Sequence, residues 1–309
     1  LTLKKVAENG LTAEELMPFV TPMRLGIIIQ NISTEVNESI KEIRGPRIGA
    51  SENAILGFLK KNKIERSDLQ EKKTDKGEFY FYTIKISAQP ISNVLAGIFT
   101  EIVHEFNWPK SMYWGDNYSL RWVRPLRGIV AVLFEKGKRK RVPLNIRNIE
   151  SDITTRAHQV MHPAFFDFNS VEDYQEKLLK GKVILQPKDR KTRVVQEGKR
   201  LAEARGFYLV KDEKLLDEII GLTEFPNPIL GEIPKELLSL PEEVIITSMR
   251  EHQKFLSLRS NANGKVEAFL MVADIQTQDQ QKTILSGNIR VLNSRLKDAI
   301  FFYKNDQEL

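Results

Sequence analysis

The chain has 309 residues, of which 47 are Lys or Arg, 41 are Asp or Glu and none is Cys. The lack of Cys excludes a disulfide scaffold, a cysteine-ligated zinc or iron–sulfur centre and a thiol nucleophile. No apolar run approaches the roughly 18 residues of a membrane span, and no secretory leader opens the sequence. We therefore expect a soluble, cytoplasmic protein of about two domains. Because the sequence begins without Met and ends after a helical pattern, we interpret it as part of a longer chain.

The first third of the sequence predicts mixed helical and extended structure. A β-branched run at 24–30 and the segment 79–87 are typical of strands. Apolar residues at helical spacing predict helices over 51–61 and 91–106, and the second has a continuous apolar face.

After Pro109 the pattern changes to short strands, then to helices and a second set of strands. Strands are predicted at 120–123, 128–134 and 141–146, the last two joined by a tight turn at 135–138. Further on, the sequence predicts helices at 170–179, 188–204, 215–222, from about 241 and at 289–305, with strands 254–258 and 266–273 around a turn at 261–264. The whole pattern indicates an α+β fold in three parts: an N-terminal α/β segment (1–110), a central region (111–285) and a junction helix (286–309).

Basic residues are concentrated in the middle of the chain. Residues 110–205 contain 21 Lys and Arg against 11 Asp and Glu, whereas the remainder is slightly acidic. Such a distribution is typical of a surface that binds a polyanion. Surfaces rich in Lys and Glu also occur in proteins that bind no such ligand.

Sequence motifs of the common enzyme classes are absent. The sequence contains no Gly-rich phosphate loop, no His-Glu-x-x-His helix and no Gly-x-Ser-x-Gly elbow. His158 and His162 are four residues apart, but Pro163 argues against a zinc-binding helix there. We therefore predict neither catalytic residues nor a metal site.

Arginine and aromatic residues alternate in the segment 113–127. Arg121, Arg124 and Arg127 lie close to Trp114 and Trp122, a combination that suits phosphate binding and stacking on a base or ribose. The same arginines could instead pair with carboxylates of a neighbouring domain. A second group of cations, Arg190, Arg193, Lys199 and Arg200, follows one predicted helix and could lie along a phosphate backbone.

Seven sequence blocks in the same order closely resemble the beta subunit of bacterial glycyl-tRNA synthetase. They are TPMRL at 21–25, MYWG at 112–115, WVRP at 122–125, TTRAH at 154–158, LPEEV at 240–244, MREHQKF at 249–255, and GNIRVL at 287–292 with RLKDA at 295–299. Ala157 stands where this family usually has Gly. The blocks extend over nearly the whole chain.

The resemblance implies a heterotetramer of two alpha and two beta subunits that attaches glycine to tRNA(Gly). In that family the alpha subunit binds ATP, with Mg²⁺, and glycine, so no cofactor is expected in this chain. The beta subunit binds tRNA and holds the assembly together, and its N-terminal region is similar to the B3/B4 region of the phenylalanyl-tRNA synthetase beta subunit. An HD-like domain and an anticodon-binding domain would follow the junction helix. Two alternatives to a tRNA-engaging module are a hydrolytic editing domain and a purely structural protein–protein module.

The residue pattern and the resemblance together give a set of candidate site residues. The tRNA-binding candidates are Arg121, Arg124, Arg127, Arg156, His158, Arg190, Arg193, Lys199, Arg200, Arg250, His252 and Lys254. Candidates for docking the following domain are Arg290, Arg295 and Asp298, the last two able to pair along a helix. Within 245–255, helical spacing predicts that Ile245, Ile246 and Met249 are buried and that 252–254 form a surface. A plain helix C-terminus, where cations are favoured, is the alternative for that surface.

Overall fold

A computed structural model describes residues 1–33, 39–62, 64–74, 77–86, 89–114 and 120–307. Helices and sheets alternate along these residues, which confirms the α+β prediction. The chain divides into two compact units. Unit 1 comprises residues 1–16 and 29–152, and unit 2 comprises residues 17–28 and 153–309.

The described chain opens with helix α1 (Thr2–Glu8) and two paired strands, β1 (Glu15–Val20) and β2 (Leu25–Gln30). The predicted strand at 24–30 is thus confirmed. The tip of this hairpin, residues 17–28, belongs to unit 2.

Unit 1 continues with two helices and short strands. In chain order they are β3 (Ser39–Arg47), α2 (Glu52–Asn62), β4 (Leu69–Thr74), β5 (Gly77–Ile86), α3 (Ile91–Glu105), β6 (Met112–Trp114), β7 (Leu120–Trp122), β8 (Ile129–Val130), β9 (Val132–Glu135), β10 (Lys138–Arg141), β11 (Asn145–Ile146) and β12 (Ile149–Asp152). Strands β3, β5 and β4 form an antiparallel sheet in that order, β6 pairs with β7, and β9 pairs with β10. In the three-stranded sheet β11-β12-β8, the β12–β8 pair is parallel.

Helix α3 supplies one side of the core of unit 1. Its buried residues recur at helical spacing, as the apolar face at 91–106 predicts. They pack against buried side chains of the following strands and of the connection between β10 and β11, which are Leu120, Leu133, Val142, Leu144 and Ile146. One core therefore joins the segments on both sides of position 110.

The predicted strand at 128–134 is interrupted at Ala131. On one side β8 pairs with β12, and on the other β9 pairs with β10. Ala131 donates its N–H to Asp152 O, and its carbonyl oxygen accepts a hydrogen bond from Val142 N. The chain changes partners here, which an apolar run alone does not reveal. The turn at 135–138 is confirmed, and Lys136 and Gly137 both have positive φ, as a tight hairpin turn requires.

Unit 2 contains five helices and six strands among its described residues after position 153. They are β13 (Thr154–Arg156), β14 (Phe165–Asp167), α4 (Val171–Lys180), α5 (Pro187–Glu203), β15 (Phe207–Leu209), α6 (Glu213–Leu222), β16 (Asn227–Glu232), α7 (Glu242–Thr247), β17 (Leu256–Ser260), β18 (Val266–Ala273) and α8 (Lys282–Gln307). Strands β15, β17, β18 and β16 form an antiparallel sheet in that order, and β13 pairs with β14.

The four-stranded sheet is buried on both faces. Because side chains alternate along a strand, Leu270 faces one side and Phe269 and Met271 face the other. Leu270 belongs to the core formed with α5 and α6. Phe269 and Met271 belong to the core formed with α7 and α8, in which Leu292 and Leu296 are fully buried. Helix α8 is thus part of the core of unit 2.

The two-unit division differs from the predicted boundaries. The core of α3 extends across position 110, and α8 packs on the sheet that precedes position 285. The division falls instead at 152/153, with residues 17–28 in the second unit. The three-part domain organisation stays a prediction.

A smaller core in unit 2 lies beneath the β13–β14 hairpin. Phe19, Ile28, Leu178, Val183 and Leu185 are its buried residues. Its partly buried side chains include Phe166 and Tyr174, and the Tyr174 ring lies 6.4 Å from that of Phe19 and 4.8 Å from that of Phe168. Burial raises the pKa of the Tyr174 phenol to about 12 from an ordinary value of 10.

We expect Tyr174 to make the stability of the protein fall between about pH 10 and pH 12. In the unfolded chain the phenol ionises near 10, whereas the folded state holds it neutral to about 12. Its contribution is therefore complete below pH 10 and is lost as pH rises to 12. The measurement is a phenolate absorbance titration of the full chain against Tyr174→Phe. The difference should contain one phenol that titrates near 12, and a difference centred on 10 would contradict the burial.

Candidate nucleic-acid interface

Arg190 is the most deeply buried of the candidate cations, with 1% of its surface exposed. Its guanidinium donates hydrogen bonds to four backbone carbonyls, those of Ile184 at 2.7 Å, Val20 at 2.8 Å, Leu185 at 3.0 Å and Ile220 at 3.2 Å. Burial lowers the pKa of Arg190, although arginine remains protonated at neutral pH. The prediction that Arg190 contacts phosphate is therefore wrong. The side chain at this position of α5 points into the core, where the Arg190 guanidinium donates hydrogen bonds to backbone carbonyl oxygens.

His158 is also buried, with 3% of its surface exposed. Its Nδ1 accepts hydrogen bonds from Val160 N at 3.2 Å and Met161 N at 3.1 Å. The Nε2 atom lies 3.4 Å from Asp274 Oδ2. The imidazole thus fixes the turn after β13, and the prediction that it contacts tRNA is wrong.

A buried carboxylate, that of Glu224, organises the surroundings of His158. Arg24 Nη1 and Thr21 Oγ1 both donate to Glu224 Oε1, the latter at 2.6 Å. The other terminal nitrogen of Arg24 donates to the carbonyl oxygens of Arg156 and, at 3.1 Å, Ala157. Sequence analysis assigned no role to Glu224. Thr21 and Arg24 belong to the sequence block at 21–25 that resembles the family. No sequence motif distinguishes Glu224, the partner of both residues.

Asp274 completes this buried network. Its Oδ1 accepts hydrogen bonds from Glu224 N at 2.6 Å and Phe225 N at 2.9 Å. Its Oδ2 faces His158. Sequence reasoning missed Asp274 as well, because its partners lie about 50 and 116 residues away along the chain.

Several predicted cations are on the surface but bound to neighbouring protein groups. Arg200 makes two hydrogen bonds to Glu197, Arg250 pairs with Asp212 and Glu251, and Lys254 lies 3.0 Å from Glu218. Arg193 is half-buried; it donates to Pro226 O at 2.8 Å and its guanidinium lies 4.4 Å from the Phe225 ring centroid. These four cations offer less unpaired charge to an external phosphate than their number implies.

Other predicted cations are exposed. Arg127, Arg156 and Lys199 form no ion pair with any described residue. Arg121 donates to Ser111 Oγ at 2.5 Å and lies over the Tyr113 ring, and Arg124 is exposed while it contacts other residues of the protein. Arg156 lies over the ring of Phe165. The accessible candidates are thus Arg121, Arg124 and Arg127 in unit 1 and, separately, Arg156 and Lys199 in unit 2.

The segment 248–253 forms a π-helical turn after α7 instead of a continuous α-helix. Met249 is fully buried and accepts a hydrogen bond from Phe255 N at 3.0 Å, while Lys254 adopts a left-handed backbone conformation. The predicted burial of Ile245 and Met249 is confirmed, and His252 is exposed as predicted. Single turns of π-helix are frequent at functional positions.

The π-helical turn and α8 border an open groove of about 510 Å³. His252, Arg295, Asp298 and Phe302 are among its lining residues, whereas Arg290 is exposed elsewhere on α8. The structure shows no ion pair between Arg295 and Asp298, so their predicted pairing along the helix is wrong. Both side chains face the groove instead. Their role in docking a following domain stays a prediction.

The described residues contain no group of three or more His, Asp or Glu side chains placed to hold a metal ion. Within the same residues, no helix combines the length and the apolar character that a bilayer crossing requires.

Comparison with known proteins identifies the family. The family model of the glycyl-tRNA synthetase beta subunit matches residues 1–309. The chain belongs to this family. It is 41% identical over 301 residues to the glycine–tRNA ligase beta subunit of Paracoccus denitrificans, and this alignment covers 97% of the chain and 44% of the relative. The corresponding protein of Phenylobacterium zucineum is 37% identical over 311 residues (100% and 45%), and that of Rickettsia typhi is 34% identical over 299 residues (97% and 44%).

The chain therefore spans less than half the length of these curated relatives. The match confirms the resemblance inferred from the seven sequence blocks. It does not distinguish among the candidate site residues, which are separated here by burial and pairing.

Arg190→Ala should lower the free energy of unfolding by about 3–5 kcal/mol, because four buried carbonyls lose their donor and a cavity remains. Arg200→Ala, on the same helix, is the matched control and should change stability little, since its ion pair with Glu197 is exposed. Urea denaturation of the two variants compares them directly. A loss of similar size in both would contradict the structural role of Arg190.

Met249→Ala should destabilise the protein by about 2–5 kcal/mol, the usual range for truncation of a buried Met. His252→Ala, three residues away on the exposed side of the π-helical turn, should leave the melting temperature nearly unchanged. Thermal unfolding monitored by circular dichroism tests both. A drop for His252→Ala as large as that for Met249→Ala would reverse the assignment of the two faces.

Proposed function

We propose that this chain is the N-terminal part of a glycine–tRNA ligase beta subunit and supports ATP-dependent formation of glycyl-tRNA. The single observation that carries the proposal is the family match over residues 1–309. In this proposal the chain engages tRNA(Gly) and contributes to assembly with the alpha subunit, in a tetramer of two alpha and two beta subunits in the cytoplasm. ATP and Mg²⁺ are bound by the alpha subunit.

The accessible cations support tRNA engagement. Arg127 lies in unit 1, and Arg156 and Lys199 lie in unit 2, all exposed and without a carboxylate partner among the described residues. Such side chains can neutralise phosphates without breaking an existing ion pair. Contacts of this kind supply affinity rather than sequence information, so this part of the subunit should bind different tRNAs similarly.

The groove beside α8 supports a role in domain or subunit docking. It combines an exposed aromatic ring, Phe302, with charges of both signs from Arg295 and Asp298. Interfaces between proteins use such mixtures, whereas a surface for RNA alone would be expected to avoid carboxylates. Similarity of the N-terminal region to the B3/B4 region of phenylalanyl-tRNA synthetase remains part of the proposal.

Hydrolytic editing gains no support from the buried polar groups. The Glu224 carboxylate is held by Arg24 and Thr21, and both ring nitrogens of His158 face protein groups. An acid–base residue must reach its substrate. These groups are buried and engaged in positioning the backbone.

The proposal is tested by tRNA binding to the complete alpha–beta assembly over a range of salt concentrations. Arg127→Gln and Lys199→Gln, made separately, should each reduce the slope of log affinity against log salt by about one and weaken cognate and non-cognate tRNAs alike. Arg200→Gln is the control, because its charge is already paired with Glu197. Unchanged slopes in both test variants would contradict phosphate binding by Arg127 and Lys199.

A further inference from the structure

The β13–β14 hairpin presents a large aromatic side chain to solvent. Phe165 is 65% exposed and lies directly opposite Arg156 in the strand register. The Arg156 guanidinium carbon is 4.7 Å from the centroid of the Phe165 ring. Val160, in the connecting loop, is also 65% exposed. The hairpin thus carries an exposed cation–π pair on its strands and an exposed apolar side chain in its loop.

The opposite face of the same hairpin is buried. Thr155, next to Arg156 in β13, is 7% exposed, and Phe166, next to Phe165 in β14, packs against the core that contains Leu178. Because side chains alternate along each strand, burial of these two residues directs Arg156 and Phe165 outward. Both side chains of the pair therefore lie on the solvent-facing side of the hairpin.

The backbone that carries the pair is held by the buried network. Arg24 donates to the carbonyl oxygens of Arg156 and Ala157, and Ala157 N donates to Ala164 O at 3.0 Å. His158 N donates to Gly181 O at 2.9 Å. Ala157 lies so close to Gly181 that a β-carbon on residue 181 would be 2.5 Å from the Ala157 Cβ. An exposed pair on such a rigid support meets its ligand with little loss of conformational freedom.

The exposed guanidinium of the hairpin favours an anionic ligand. From Thr154 to Asp167, the ends of the hairpin, the residues with a formal charge are Arg156 and Asp167, and Asp167 lies opposite Thr154 in the register, not opposite Arg156. The Arg156 guanidinium makes no ion pair or hydrogen bond with a described residue, so its N–H donors are available. A ligand that suits both side chains needs a planar ring next to negative charge. A nucleotide has this combination.

We propose that Arg156 and Phe165 form a stacking platform for one unpaired nucleotide of bound RNA. The base stacks on the exposed planar surface of the pair, and the guanidinium donates hydrogen bonds to a neighbouring phosphate. This inference rests on the proposed function, because it specifies how part of the chain would hold tRNA. Arg and aromatic residues are also enriched in protein interfaces, and that alternative is an outcome of the test.

The test measures tRNA binding by the complete alpha–beta assembly with Phe165→Leu, which removes the ring but keeps an apolar side chain. Affinity should fall by about 5- to 100-fold, the range for loss of one stacked base, with an unchanged salt slope because no charge is lost. Arg156→Lys should also weaken binding without a change of slope, whereas Arg156→Gln should additionally reduce the slope by about one. Tyr208→Leu, which removes another exposed aromatic ring from a strand of unit 2 outside the groove, is the matched control and should keep wild-type affinity for tRNA.

Two further readouts separate the possible results. A photo-crosslinking amino acid at position 165 should label one nucleotide of the tRNA, and sedimentation should show the same alpha–beta assembly in wild type and Phe165→Leu. If Phe165→Leu lost the alpha–beta assembly but kept its affinity for tRNA, the platform would be wrong and Phe165 would instead contact a protein. If Phe165→Leu binds normally while Lys199→Gln flattens the salt slope, the platform is wrong and the proposed function stands. If none of these variants alters tRNA binding, the tRNA-binding part of the proposed function fails together with the platform.

Discussion

The buried carboxylate of Glu224 is the constraint on which the arrangement of unit 2 depends. A carboxylate removed from water destabilises a protein unless hydrogen bonds and an opposite charge compensate for the lost hydration. Arg24 and Thr21 provide both, and Arg24 also reaches the carbonyls of Arg156 and Ala157. Asp274 then binds the backbone N–H of Glu224 and faces His158. Four segments that are far apart in sequence are joined because one ion must be satisfied.

The same requirement explains why counting charges overestimates the basic surface. Residues 110–205 have a clear excess of Lys and Arg, but Arg190 is used inside to satisfy four carbonyls. Arg200 is paired with Glu197, and Arg193 is bound to a carbonyl and lies over an aromatic ring. In each case the planar guanidinium donates hydrogen bonds or stacks on a ring. The same group binds carbonyls and carboxylates as well as phosphates. Residue type alone therefore could not identify which arginines face a ligand.

Local features of the fold were predictable from the sequence, and long-range ones were not. The apolar face of α3, the turn at 135–138 and the burial of Met249 follow from short-range spacing and turn chemistry, and all are confirmed. The break at Ala131 depends on which strands lie on either side, and the inward direction of Arg190 depends on carbonyls from β1 and α6. The spacing of apolar residues indicates which face of a helix or strand is buried. It does not indicate which other elements pack against that face. Sequence spacing and residue type could therefore nominate candidate cations, whereas burial and pairing in the structure show which of them are exposed.

Accessible cations and the hairpin pair differ in what they can contribute to binding. Lys199 carries its charge on a flexible stem, so it can neutralise a phosphate at many positions and fixes none of them. Arg156 is stacked on Phe165, and its backbone carbonyl is bound by Arg24. Its position is therefore coupled to the buried Glu224 ion pair. A protein that must hold a long polyanion in one register needs both kinds of contact, since diffuse charge supplies affinity and a rigid, shaped contact supplies position. In unit 2, hydrogen bonds from Arg24 hold the backbone beneath the Arg156–Phe165 pair.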